Sequence, residues 1–301
     1  MGWLALLSLA RLCFYLGIFG FIGLAAMRGL FSSHFSVTHP GISDRRLFRC
    51  QWYLLGLSVV GVAAIVPLNA GMMLDEGLTG LTDPLMLQIA WQSTIGEQTF
   101  ARAVALVLVF VFTVWMSRSK AGAWSLLLKT GLVITAMVIG WSFTRSGHSA
   151  ATSVVAQLCV AVHVVMAGWW VGSFYPLIRL CRLATETSQY EALRNTLHAY
   201  GNQAALWVGL LLFSGGVLLT LLILNVSGEV NTIYLWVMGV KLLLVCVMLS
   251  FAAHHKWKLV GSIASMQDCD KVRKSISTEA VVGVLVLAVT ATLTNSIGIA
   301  H

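Results

Sequence analysis

Eight apolar runs, at about 3 to 28, 50 to 73, 99 to 116, 123 to 143, 154 to 178, 202 to 225, 231 to 253 and 279 to 298, follow one another along this chain with only short polar breaks. Each is near the roughly 20 residues that a helix rising 1.5 Å per residue needs to cross a hydrocarbon core about 30 Å thick. Lipid offers the backbone no hydrogen-bond partners, so only helices or a closed barrel can cross it. Barrel strands alternate apolar with polar residues, and a chain that is 58% hydrophobic does not. A charged fraction of 10% also excludes an ordinary soluble domain, which carries about 25%. The expected fold is therefore all-α: a polytopic membrane protein, a bundle of eight transmembrane helices forming a single domain over residues 1–301. The breaks leave no room for a separate soluble domain.

Charge sets the expected orientation. The chain holds 19 Lys and Arg against 11 Asp and Glu. Arg45, Arg46 and Arg49 lie in the first connection, Arg118 and Lys120 in the third, Arg179, Arg182 and Arg194 in the fifth, and Lys256, Lys258, Lys271, Arg273 and Lys274 in the seventh. Asp75, Glu76, Asp83 and Glu97 occupy the second. Alternate loops are positive, which places both termini on the periplasmic side. The first run lacks a basic leader and contains Arg11, so it reads as an uncleaved span. Asp83 and Pro84 carry a helix-start signature for a short surface segment, Leu85 to Trp91. Six scattered cysteines with no CxxC pair suggest neither a disulfide framework nor a zinc ribbon.

Charged groups inside spans call for a reason, because insertion costs about 2.5 to 3.5 kcal/mol each. Arg102 is expected to snorkel to the outer headgroups, and Glu279 to open the last span where a helix N-terminus favours an anion. Arg11 and Lys241 lie deeper. Of the histidines only His163 falls well within the membrane, about 13 Å below the outer surface if its span starts near residue 154. Helical spacing puts Cys159 and Met166 on its face. Thiol, imidazole and thioether favour Cu(I) over harder ions. His148, in the loop entering this helix, and Met72 and Met73, at the outer end of the second span, extend the candidate metal set outward. The same residues also fit plain packing, and a lone buried histidine commonly bonds a neighbouring helix. Trp169 and Trp170 fit packing more readily than a site. No acidic residue near Ser146, His148 and Ser149 completes a triad, and no phosphate-binding loop is present, so no enzyme chemistry is expected.

Gly147-His148-Ser149-Ala150, then His163 followed by Trp170-Val171-Gly172-Ser173 and Pro176, resembles the copper resistance protein D (CopD/PcoD) family. Arg11 with Gly23, Gly96, Lys241 and Glu279 with Gly283 fall where such proteins place similar residues. Three positions depart from the pattern: Ser173 replaces the second glycine of a Gly-Gly pair, Cys159 or Val160 stands at a usually polar position, and Phe14 occupies a place where a histidine sometimes follows the arginine. The resemblance implies a multi-pass protein of the cell inner membrane that binds copper and moves it from the periplasm, contributing to copper resistance. It also implies a separate periplasmic CopC-like copper-binding partner, and no nucleic acid. Two alternatives stay open: a b-type haem membrane redox protein, for which His163 lacks an obvious deep axial partner, and a non-catalytic assembly subunit for a copper enzyme.

Overall fold

The structure, a computed structural model, describes residues 2–38, 44–75, 77–118, 126–145, 153–225 and 232–296, and all regular structure among them is helical. In chain order the helices are α1 (Gly2–Thr38), α2 (Asp44–Leu74), α3 (Pro84–Gln92), α4 (Thr94–Arg118), α5 (Leu126–Thr144), α6 (Val154–Thr187), α7 (Tyr190–Asn225), α8 (Thr232–His254) and α9 (Met266–Ser296). A 3-10 turn (Gly77–Leu81) precedes α3, and a π-helical turn (His255–Leu259) ends α8. Seven of these helices are long and apolar enough to cross a membrane. The run at 123 to 143 becomes α5, whose apolar stretch Lys129–Thr144 rises only about 24 Å.

Several helices outrun the apolar segments that announce them. Residues 179–201, which read as a basic loop, continue α6 and begin α7, with Ser188 in the left-handed conformation (φ 57°) between them. At the start of α9 the polar run Gln267–Lys274 is already helical. Ser265 and Asp268 cap it, the Ser265 hydroxyl donating to Asp268 Oδ2 at 2.7 Å while the Asp268 amide donates back to Ser265 Oγ at 3.4 Å. Glu279 is therefore deep in α9 and does not occupy a helix N-terminus, which corrects the reading of its position. The short surface helix forms as expected, with the Met86 amide donating to Asp83 Oδ1 at 2.8 Å and Pro84 in the first turn.

Helix α1 is the hub, packing on α2, α5, α6 and α9. Its crossing with α6 explains two of the motif glycines. A Cβ at Gly23 would lie 2.2 Å from the Gly172 carbonyl carbon, and one at Gly172 2.1 Å from the Phe19 carbonyl oxygen. Only glycine lets the two backbones approach so closely in a bilayer. Around this crossing Phe14, Ile18, Phe21, Ile22 and Trp170 join one continuous apolar core.

Candidate functional site

The second half of the chain is more open. Helix α7 packs on α6, and α8 packs on α9, but α7 and α8 have no packed interface with each other. A cleft runs between them, walled at the back by α6 and α9.

His163 lies on α6 against α7. Its Nδ1 lies 3.1 Å from the Leu211 carbonyl oxygen and 3.4 Å from Ser214 Oγ, both on α7, and the Ser214 hydroxyl donates to the same carbonyl at 3.0 Å. A carbonyl only accepts, so Nδ1 carries the ring proton and the neutral imidazole keeps its lone pair at Nε2. Metal-binding histidines are commonly held in this way, through the nitrogen that does not ligate. The ring also needs the glycine beside it: a Cβ at Gly215 would sit 3.0 Å from His163 Cε1. Lys241 lies about 13 Å along α8 from its first residue, Thr232.

The other candidates sort by helix. Cys159, a half-buried free thiol, lies one turn above His163 on α6, and Met166, three residues below it, packs against the main core. Met72 is half-buried and Met73 is 44% exposed at the C-terminal end of α2. That helix packs on α1, α3 and α4 while α6 packs on α1, α5, α7 and α9, so α1 stands between the methionine pair and the His163 stripe. His148 lies outside the described residues. Among the described residues no group of three His, Cys, Asp or Glu side chains is gathered as a metal cage; sulfur from Met would have to complete any copper coordination at His163.

In this cleft lies a second polar centre, which the sequence reading missed. Glu279 is 2% exposed, and its Oε2 is 3.1 Å from Nδ1 of His255. The other nitrogen of that ring, Nε2, is 2.7 Å from Ser275 Oγ. The other carboxylate oxygen, Oε1, is buried without a hydrogen-bond partner. The pair opens on a cavity of about 300 Å³ whose mostly apolar walls also carry His198, Tyr200, Asn202 and Lys256. Counting from the turn gave no signal, because His255 lies 6 residues before residues 261–265 and Glu279 lies 14 residues after them.

The buried arginines are handled differently. Arg102 is 1% exposed, with its guanidinium over the Phe14 ring at 5.0 Å and the Phe143 ring at 5.7 Å, so it does not snorkel as expected. Phe14, one of the departures from the motif, forms this cation–π contact. Arg11 donates to the Thr294 carbonyl of α9, and the Tyr15 hydroxyl lies 3.3 Å from Thr294 Oγ1. Another departure, Ser173, is also used: its hydroxyl donates to the Trp170 carbonyl at 2.7 Å and lies 2.5 Å from the Tyr200 hydroxyl.

Fold and site together define a multi-pass helical membrane protein with a polar cleft in its second half. Residues 194–293, from α7 through α9, match the family model of copper resistance protein D. The chain is also similar to the inner membrane protein YebZ of Escherichia coli (strain K12), with 22% identity over 251 residues, 83% of this chain and 82% of the relative. No solved structure matches. These findings bear out the resemblance drawn from the motifs and the assignment to the inner membrane. The matched stretch contains Lys241 and Glu279, whereas the Gly147 to Pro176 motif precedes it.

Proposed function

We propose that this protein moves copper ions across the inner membrane from the periplasm and so contributes to copper resistance and homeostasis. Its eight helices, α5 included, then cross the membrane with both termini in the periplasm. The supporting observation is the held imidazole of His163, oriented from α7 through Nδ1 with Nε2 left to bind, at the copper depth that Cys159 and Met166 share. His148, Met72 and Met73 receive the ion at the outer face, from a separate periplasmic CopC-like protein. Cu(I) suits this donor set.

Conduction needs sites that release as well as bind. Lys241 serves that end, because a cation held beside the imidazole weakens the hold on a metal ion. No nucleotide-binding loop is present in the sequence, and an inward-moving monovalent ion gains about 2.3 kcal/mol per 100 mV from a potential negative inside.

Copper accumulation in cells expressing His163→Ala is the test, with membrane insertion checked by fractionation. Accumulation should fall by roughly tenfold or more, the range seen when metal-site residues are altered; accumulation equal to wild type would remove His163 from the path. Metal analysis of purified wild type, His163→Ala and His148→Ala assigns the ligands. Visible absorption of the same wild-type sample decides the haem alternative, and co-purification with a copper enzyme but without bound copper would favour an assembly role.

A further inference from the structure

The cavity beside Glu279 and His255 is not used by the copper path, and among the described residues its buried polar atom without a hydrogen bond belongs to a carboxylate. We propose that Glu279 and His255 form a proton-exchange site, loaded from this cavity, whose protonation is coupled to the passage of copper. The coupling rests on the copper reading; the proton site does not.

Every other polar group facing the pair has a partner. From α7, Tyr200 is engaged with Ser173 and His198 Nδ1 lies 3.4 Å from Asn202 Nδ2. From the π-helical turn, Lys256 donates to the Gly201 carbonyl at 3.4 Å. The body of α8 contributes only Leu249, Ala252 and Ala253 to the cavity wall, and α6 contributes Trp170 with two apolar side chains. Among the described residues, Glu279 Oε1 is the buried polar atom of the cavity wall left without a hydrogen bond. A purely structural tie between α8 and α9 would have no use for an adjoining space of about 300 Å³, room for several water molecules at about 30 Å³ each. A carboxylate removed from bulk water is stable when a proton or a cation neutralises it. Here both are at hand: cavity water brings a proton to Oε1, and the imidazole at Oε2 holds or yields another. The step moves one proton from hydronium to Oε1, converting carboxylate to carboxylic acid and leaving water. No electron moves.

Infrared pH titration of the full-length protein in phosphatidylethanolamine and phosphatidylglycerol nanodiscs tests the site. A carboxylic-acid carbonyl band should appear reversibly as the pH is lowered, be lost in Glu279→Gln, persist in Glu279→Asp, and appear at a different pH in His255→Gln. Identical spectra for wild type and Glu279→Gln would overturn the proposal. Should Glu279→Gln fail to fold, the other two variants decide: the same band at the same pH in wild type and His255→Gln overturns it. Proteoliposomes of the same lipids, loaded with a pH dye and given Cu(I), test the coupling. Copper entry should bring a pH change that falls at least tenfold in Glu279→Gln, while copper bound per protein stays at the wild-type value. Copper entry with no pH change in wild type would overturn the coupling. Wild type that neither binds nor moves copper would instead defeat the copper reading, and the infrared titration would still decide the proton site.

Discussion

Helix α1 has 56% of its apolar window buried inside the protein and α4 has 50%, whereas α7 has 11% and α8 only 6%. Both pairs nevertheless carry charged or titratable groups at bilayer depth. In the first pair the charge is enclosed: Arg102 lies under Phe14 and Phe143, and Arg11 on a carbonyl of α9. Around the second pair the groups border a cleft: His163 of α6 bonds α7, Lys241 is on α8, and His255 at the end of α8 meets Glu279 of α9. A dense interior holds a fixed structure, because it has few alternative arrangements. A loosely flanked cleft admits water and ions. On the function proposed above the two halves do separate work, α1–α5 as a frame and α6–α9 as the conducting part, and the frame should break by packing while the cleft should break by chemistry.

The largest expected effect is at the joint between the halves. Gly172→Val places side-chain atoms where the Phe19 carbonyl and the Gly23 backbone now lie. Neither α1 nor α6 can retreat without opening the core. Overpacking of this kind costs about 3 kcal/mol or more, and size-exclusion chromatography of the fluorescently tagged variant should show loss of the monodisperse peak. A variant that stays monodisperse with full copper accumulation would show that the two halves are not joined there.

The next effect separates enclosed charge from working charge. Arg102→Ala leaves a void in the core and removes the cation from two rings, a loss of about 3 kcal/mol visible as a lower Tm in detergent. Arg102→Met refills the volume without a buried charge, and such replacements are often neutral or stabilising. Its Tm and its copper accumulation should match wild type. Accumulation lost in Arg102→Met at unchanged Tm would move this arginine from the frame to the transport path.

The frame was largely legible in the sequence because bilayer thickness and helical rise together fix where apolar runs begin and end. The helix start used to place His163 was legible for the same reason, since α6 begins at Val154. Helix ends were not. Hydropathy reports contact with lipid and is blind to a helix that continues into water, so the amphiphilic starts of α7 and α9 looked like loops and Glu279 looked terminal. Pairing between helices was hidden too: nothing in the spacing of His163 pointed to Leu211, and nothing marked Phe14 as the seat of Arg102. The motif glycines could be read as required small residues, but not which helix each one admits.

A smaller effect probes the cleft without removing a ligand. Gly215→Ala brings a methyl group to 3.0 Å from His163 Cε1, which tilts the ring away from Leu211. Stability should stay within about 0.5 kcal/mol, as for most substitutions that open no cavity and strand no charge. Copper accumulation should fall by about tenfold or less, as when residues that orient a metal ligand are disturbed. Equal accumulation in Gly215→Ala and wild type would mean that ring orientation is irrelevant to the ion.

The smallest effect lies where frame and cleft meet, at Ser173. Its hydroxyl joins α6 to Tyr200 at 2.5 Å, and Tyr200 stacks on Trp169 with ring centroids 5.1 Å apart. Ser173→Ala removes, besides the bond to the Trp170 carbonyl, the bond to Tyr200, each worth about 1 kcal/mol, and leaves the ring stack in place. Tyr200→Phe removes the same bond from the other side. If the contact is a true coupling between α6 and α7, the double variant should be no less stable than the worse single one, with an interaction of about 1 kcal/mol in the cycle. Strictly additive losses would mean that the two hydroxyls are neighbours only, and that the serine is tolerated at this position without tying the cleft wall to the frame.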